Sequence, residues 1–318
     1  MSPITAADLA HRARAIALDA AWWHWGILNP LAVSAAERRP CSVLDPEALV
    51  LASMALLGHE RRLLDMAGWW ASVGAGLMSV HRARAVARQL RPAQDSALGA
   101  FASLAAAAGD RRWKSLADGS FTGTPRRGKG PERPDLSATG ALLLRLRAAI
   151  GPGAKADTFA FVVCRRQGGE ASVGEIRRAV GFSVANVRGA ARELVLAGML
   201  EEGDGHPARY GTRPGFGASF VRLLYGAPRA AAEVPAWGYW SQVYAFLLAA
   251  ASWDDPASRV TGGYVASSAA RSLFQEYRWM FSANGIEAPD PSRYPGEAYL
   301  DGFAEALDGL ERWCRSSA

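Results

Sequence analysis

Hydrophobic positions recur mostly at three- and four-residue spacings, and stretches that alternate at two are scarce, so the chain is predicted to be mainly α. The start, through Asp8, His11, Arg12, Arg14 and Asp19, reads as an amphipathic helix. Asp45-Pro46-Glu47 is a helix start: a capping Asp, Pro at the first helical position and an acid in the first turn. That helix runs through Leu49, Leu51, Met54, Leu56 and Leu57 to Gly58. Further helices are expected over 61–73, from the cap Ser79 to Pro92, and over 95–108, where Leu98, Phe101 and Leu104 share a stripe. Near the end, helices are expected over 236–253, 265–282 and 296–314. The one good place for strands is 199–213.

Two breaks in composition divide this pattern. Residues 119–136 hold four Gly and three Pro, the mark of a linker or long surface loop, and residues 226–235 form a second break. The expected organisation is a helical N-terminal domain (1–118), a basic Gly/Pro-rich linker (119–136), a central domain (137–226) and a helical C-terminal domain (227–318). Charge follows the division. Residues 119–225 carry 16 Lys/Arg against 9 Asp/Glu, whereas residues 226–318 carry 7 against 11. The net +6 of the chain is therefore concentrated in its middle, and the last block is acidic.

The middle block has the most specific pattern. An apolar helix over KADTFAFVVCRR is followed by a turn, and Ser172 with Glu175 forms a capping box for a short helix buried through Val173, Ile176 and Val180. Gly181 breaks that helix, Phe182 plugs the turn and Ser183 caps a longer helix. Val184, Val187, Ala191, Leu194 and Val195 make its inner face. A strand, a glycine-rich tip and a second strand follow. This order resembles the winged helix-turn-helix domain of bacterial transcriptional regulators, in the broad sense that covers the multiple-antibiotic-resistance and arsenic-repressor types. The resemblance covers the central segment only and implies a small β wing between flanking helical blocks. In such domains the second helix of the motif enters the major groove and the wing touches the backbone or minor groove. By position, Ser183, Asn186, Arg188 and Arg192 would face DNA, and His206, Arg209 and Tyr210 would lie on the wing. Arg188 and Arg192, four apart, share a helix face, and either can fork onto guanine or phosphate. Asn186 could read adenine, Ser183 could donate to phosphate, and Arg177 and Arg178 would be backbone contacts. Glu201, Glu202 and Asp204 place acids on the wing, where they repel phosphate.

Other candidate chemistry is weaker. Gly123–Gly130 nearly matches a phosphate-binding loop, but Gly130 stands where Ser or Thr must bind magnesium, and no strand precedes it. It reads as a basic linker whose Arg126, Arg127, Lys129 and Arg133 could brush a phosphate backbone. The five histidines and three cysteines (Cys41, Cys164, Cys314) show no metal spacing, so no metal, cofactor or catalytic step is expected. His24, in AWWHWG, reads as a packed ring. Asp254, Asp255 and Asp290 read as loop and helix-end acids. Trp22, Trp23, Trp25, Trp69 and Trp70 read as core more readily than as an aromatic effector pocket. The basic helix SVHRARAVARQL, which follows LLDMAGWWASVGAG, could be a second, degenerate helix-turn-helix, but it reads as a surface helix with a basic outer face, a basic partner face being kept as the alternative. Trp237, Tyr239, Trp240, Tyr244 and Phe246 suggest a dimer seam. The uncharged stretch from Trp237 to Trp253 is too short and too polar for a membrane span, and the amphipathic start is unlike a signal peptide. The expectation is a cytoplasmic homodimeric regulator that binds double-stranded DNA. The rival is an antitoxin or adaptor of a defence module. It would use the winged helix for protein contact or autoregulation and meet a protein partner through its acidic C-terminal block.

Overall fold

Local capping signals set the helix starts. In a computed structural model, which describes residues 4–31, 42–90, 94–126, 130–165, 169–226, 234–255 and 259–317, the Thr5 hydroxyl accepts from the Asp8 amide and the Asp8 carboxylate from the Thr5 amide. This capping box opens α1 (Ala6–Leu28). Asp45 caps α2 (Pro46–Ala55) through the Ala48 amide at 3.0 Å. α3 spans Arg62–Val73, and Ser79 caps α4 (Val80–Ala87). α5 (Gln94–Ala107) completes the first block. α4 ends at Ala87, short of the Pro92 expected, because Arg88 and Gln89 form a turn; residues 91–93 lie outside the described residues.

The middle block holds α6 (Leu142–Ile150), α7 (Ala154–Val163), α8 (Val173–Val180), α9 (Val184–Leu196) and α10 (Phe216–Tyr225). The last block holds α11 (Trp240–Ala251), α12 (Gly263–Asn284) and α13 (Tyr299–Ser317). The chain is mainly α, as its periodicity implies. Strands are short. β1 (Ser42–Val43) pairs in parallel with β5 (Ala236–Trp237). β2 (Ala171–Ser172), β4 (Arg209–Gly211) and β3 (Glu201–Glu202) form an antiparallel sheet in the order β2-β4-β3.

The blocks at the two ends share one hydrophobic core, a departure from the separate N- and C-terminal helical domains expected. Leu9, Ile16 and Trp25 of α1 and Leu49 of α2 lie in one cluster with Trp240 and Phe246 of α11 and Phe303 and Leu307 of α13. Arg12 of α1 ties to Asp308 and to the Ala304 carbonyl of α13. The expected dimer seam is overturned by the same packing. Trp240, Tyr244 and Phe246 are buried inside the subunit, so the apolarity of α11 is satisfied within the chain. Trp25 and Trp70 are likewise core, edge-on to one another at 6.3 Å.

The middle block has a core of its own. Leu142 and Leu146 of α6, Phe159 of α7, Ile176 of α8, Val187 and Leu194 of α9, Tyr210 of β4 and Val221 of α10 pack together, and Val43 and Trp237 close the cluster. Where described, the Gly/Pro-rich segment is a strap on α3 and not a free tether. The Trp69 indole donates to the Pro131 carbonyl at 2.8 Å and the Arg126 amide to Asp65 at 2.7 Å. Cys41, Arg127, Gly128 and Lys129 lie outside the described residues. Cys164 and Cys314 are buried free thiols.

Candidate nucleic-acid interface

The candidate site begins at the turn between α8 and α9. Ser172 and Glu175 form the expected capping box at the start of α8. Gly181 ends α8 at φ 74°, a left-handed backbone that favours glycine. Phe182 turns inward and is buried. The Ser183 hydroxyl then accepts from the Asn186 amide at 3.2 Å and starts α9. Inward residues Val187, Ala190, Ala191 and Leu194 lock α9 onto the core.

That packing leaves Ser183, Ala185, Asn186, Arg188, Gly189 and Arg192 exposed together. Ala185 and Gly189 keep the face slim, and nothing lies within 4 Å of the side-chain position at Gly189. Among the described residues, neither Arg188 nor Arg192 makes an ion pair or hydrogen bond through its guanidinium. Both lie near β4. Burial raises the Tyr210 phenol, Glu202 adds to this, and Arg192 and Arg188 oppose it.

The remaining expected site residues are placed differently. Tyr210 is 1% exposed and belongs to the core, so it is no wing contact. β4 turns that ring inward, beneath α9. Arg209 is half-buried and held within the domain, donating to the Glu170 carbonyl at 2.9 Å and lying 3.4 Å from the Glu175 carboxylate. Burial raises Glu175, but bonds from Ser172 and the charges of Arg165 and Arg209 outweigh it and hold the carboxyl low. The exposed wing carries Glu201, Glu202, Asp204 and His206, and Arg213 pairs with Glu201 at 2.9 Å. Arg177 and Arg178 are exposed on α8 beside a cleft of about 450 Å³, also lined by Arg88, Phe182, Glu276 and Trp279. The Arg178 guanidinium lies over the Trp279 ring at 5.3 Å.

The structure adds a charged cluster that the sequence did not reveal. The basic helix expected at the surface does expose His81, Arg84 and Arg88, but its Arg82 is buried, and for that residue the expectation is corrected. Arg82 forks onto Asp45, with Nη2 to Oδ2 at 2.7 Å, reaches Glu47 at 2.9 Å and donates through Nε to the Val180 carbonyl at 3.0 Å. Arg147 of α6 forks onto Asp157 of α7 at 2.8 and 2.7 Å and reaches Glu47 at 2.7 Å. Burial works against both guanidinium charges, but the carboxylates outweigh it and keep them firmly protonated. Three acids and two arginines thus join α2 and α4 to α6, α7 and the end of α8. The only sequence hint was the pair of acids at the start of α2, and their helix-capping role hid the second one.

Elsewhere, His24 is buried. Its Nδ1 and the Tyr244 hydroxyl share a hydrogen bond of 2.9 Å, and Nε2 has no partner among the described residues. Desolvation drives its pKa down to about 3. Among the described residues no group of three or more His, Cys, Asp and Glu side chains is placed to hold a metal ion, and no helix is long and apolar enough to cross a membrane. No protein-family profile, curated protein or solved structure matches the chain.

Proposed function

We propose that residues 137–226 form a winged helix-turn-helix domain and that the protein is a DNA-binding regulator acting without a catalytic step, with α9 as its reader. The observation that carries this reading is the outward face of α9. Two arginines one turn apart stand there without an ion-pair or hydrogen-bond partner for their guanidinium groups among the described residues, beside Asn186 and the capped helix start. A guanidinium free to fork is the commonest reader of guanine, and an amide can read adenine. The order of α7, β2, α8, α9, β3 and β4, with β4 central in the sheet, supports the domain assignment. The acidic wing argues that contact with phosphate falls to the helices.

The test is binding to a pool of random duplexes over a salt series, comparing wild type with Arg188→Ala, Arg192→Ala. Each lost base contact should cost about 1–3 kcal/mol on the preferred sequence, and each lost phosphate contact should lower the salt slope by about one on all sequences. A folded double variant that binds like wild type at every salt concentration overturns the reading. A second reading rests on Val184, 42% exposed, and Leu196, 89% exposed, on the same helix. A protein partner covering α9 would bury both, as in an antitoxin or adaptor. Loss of a protein partner, and not of duplex binding, on Leu196→Asp would favour it.

A further inference from the structure

The basic character of α4 is not used up by the buried cluster. Arg82, Ala83, Ala85, Val86 and Ala87 face inward, and the residues left exposed are His81, Arg84 and Arg88. Their spacing of three and four places them on one side of the helix. Among the described residues, Arg84 and Arg88 make no ion pair or hydrogen bond through their side chains.

The position of this face matters more than its charge. The His81 ring stacks on Phe182 at 5.4 Å with planes 10° apart. The side-chain position at Gly181 lies 3.8 Å from Ala85. Arg82 donates to the carbonyl of Val180, the last residue of α8. Three successive residues of the α8–α9 turn are therefore fixed against α4, and the next, Ser183, starts α9. Farther along α4, Arg88 borders the same cleft as Arg177 and Arg178. Arg88, Arg177 and Arg178 thus line one cleft beside the turn that leads into α9, with Glu276 in the same lining, and Arg84 lies one turn back along the exposed side of α4.

We propose that the outward face of α4 is a second phosphate-contacting surface, which extends the duplex footprint of α9 beyond the central domain. The proposal rests on the reading of α9 as a DNA reader. Residues 81 to 88 rise about 10 Å along the helix. Duplex DNA presents one charge per about 1.7 Å of axis, so the two arginines can each meet a phosphate on the flank of the site. The buried ion cluster holds α4 and the α8–α9 turn as one surface, so no ordering cost separates the two contacts. Such contacts fix register and add affinity without reading sequence.

The experiment compares wild type, Arg84→Ala/Arg88→Ala and Arg188→Ala/Arg192→Ala. Probes are a short hairpin duplex of about one and a half turns centred on the preferred sequence, and a duplex of about three turns. Unfolding midpoints check that each variant is folded. The expected result for the α4 variant is a salt slope lower by about two on the long duplex. On both duplexes the weakening should be equal on preferred and scrambled sequences, because α4 packs on the turn that starts α9 and its contacts fall within the shorter duplex as well. Wild type that binds through Arg188 and Arg192 but is indifferent to the α4 change on the long duplex overturns this proposal alone. A sequence-dependent loss in the α4 variant also overturns it, because phosphate contacts carry no base preference. Wild type that binds neither duplex overturns this proposal and the reading of α9 together.

Discussion

Arg82 and Arg147 lie in a dry junction between the helical body and the central domain, while Arg188 and Arg192 stand in solvent on α9. In sequence the two pairs look alike: each lies in a helical stretch rich in alanine or leucine, with another arginine nearby. What separates them is the supply of acids. Removing a guanidinium from water costs several kcal/mol unless carboxylates with good geometry replace the lost solvation. Asp45, Glu47 and Asp157 do so for the first pair, and among the described residues no acid forms an ion pair with the second. Net charge therefore overstates the basic surface of the middle block, since Arg147 is used up by Asp157 and Glu47 while Arg188 and Arg192 remain available. The difference distinguishes structural cations from candidate binding cations in a chain with 36 Lys and Arg.

The sharpest way to break this comparison is to remove one cation from each side. Arg147→Ala leaves Asp157 and Glu47 buried with one guanidinium between them, and it should cost about 3–5 kcal/mol of stability. Arg188→Ala should change stability by less than about 0.5 kcal/mol. Urea unfolding of the two variants measures the gap. Equal costs would mean that the junction is solvated and that its ion cluster does not hold the domains together. Replacing Arg147 by Met should be milder than by Ala, because it fills the space, but both carboxylates would still lack their partner.

A third kind of burial sharpens the comparison. His24 lies as deep as Arg82, yet it faces a tyrosine hydroxyl in place of a carboxylate pair and so remains neutral. Its folded pKa of about 3 lies below the ordinary value of 6.5. The unfolded chain therefore binds a proton first as pH falls. The stability His24 contributes is complete above pH 6.5 and is lost progressively on the way down toward about 3, at about 1.4 kcal/mol per pH unit. Between pH 6.5 and 5 wild type should lose about 2 kcal/mol from this residue. His59, lowered chiefly by burial, acts in the same direction. Unfolding measured at pH 7, 6 and 5 should show a flatter slope for His24→Gln than for wild type; equal slopes would place His24 in contact with water.

The parts of this architecture that were legible in the sequence are those written locally. Asp45, Ser79, Ser172 with Glu175, Gly181 and Ser183 all mark helix ends through contacts within a few residues. The exposed face of α9 followed from the apolar stripe opposite it, except that Val184, expected on that inner stripe, lies exposed at the first turn of the helix. What stayed hidden depends on distant partners. The burial of Arg82 requires Asp45 and Asp157, neither of which is close to it in sequence. The apolar helix α11 was rightly read as needing a cover, but α1, α2 and α12 of the same chain supply it. Tyr210 sits in a strand of three residues, too short for alternation to show which side faces inward. α6 and α10 start without a capping side chain, after Ala141 and Gly215, so no local signal marked their starts.

Ser183 stands on the border between the two regions, and it gives the smallest and most discriminating effect. Its hydroxyl oxygen closes the first turn of α9, which is a structural duty, while its exposure at the helix start places it where a phosphate would approach. The two duties come apart in two substitutions. Ser183→Ala removes the cap and should cost about 1 kcal/mol of stability. Ser183→Asp keeps a capping oxygen and adds a negative charge that the helix N-terminus favours, so stability should stay within a few tenths of a kcal/mol of wild type. The same charge opposes phosphate, so Ser183→Asp should bind every duplex more weakly than wild type, with the deficit largest at low salt. Thermal unfolding and duplex titration on the same preparations separate the outcomes. If Ser183→Asp is as unstable as Ser183→Ala, the hydroxyl does not work as a cap. If Ser183→Asp is stable and binds duplex as tightly as wild type, the start of α9 lies away from the backbone, and any contact with DNA begins farther along the helix, at Arg188 and Arg192.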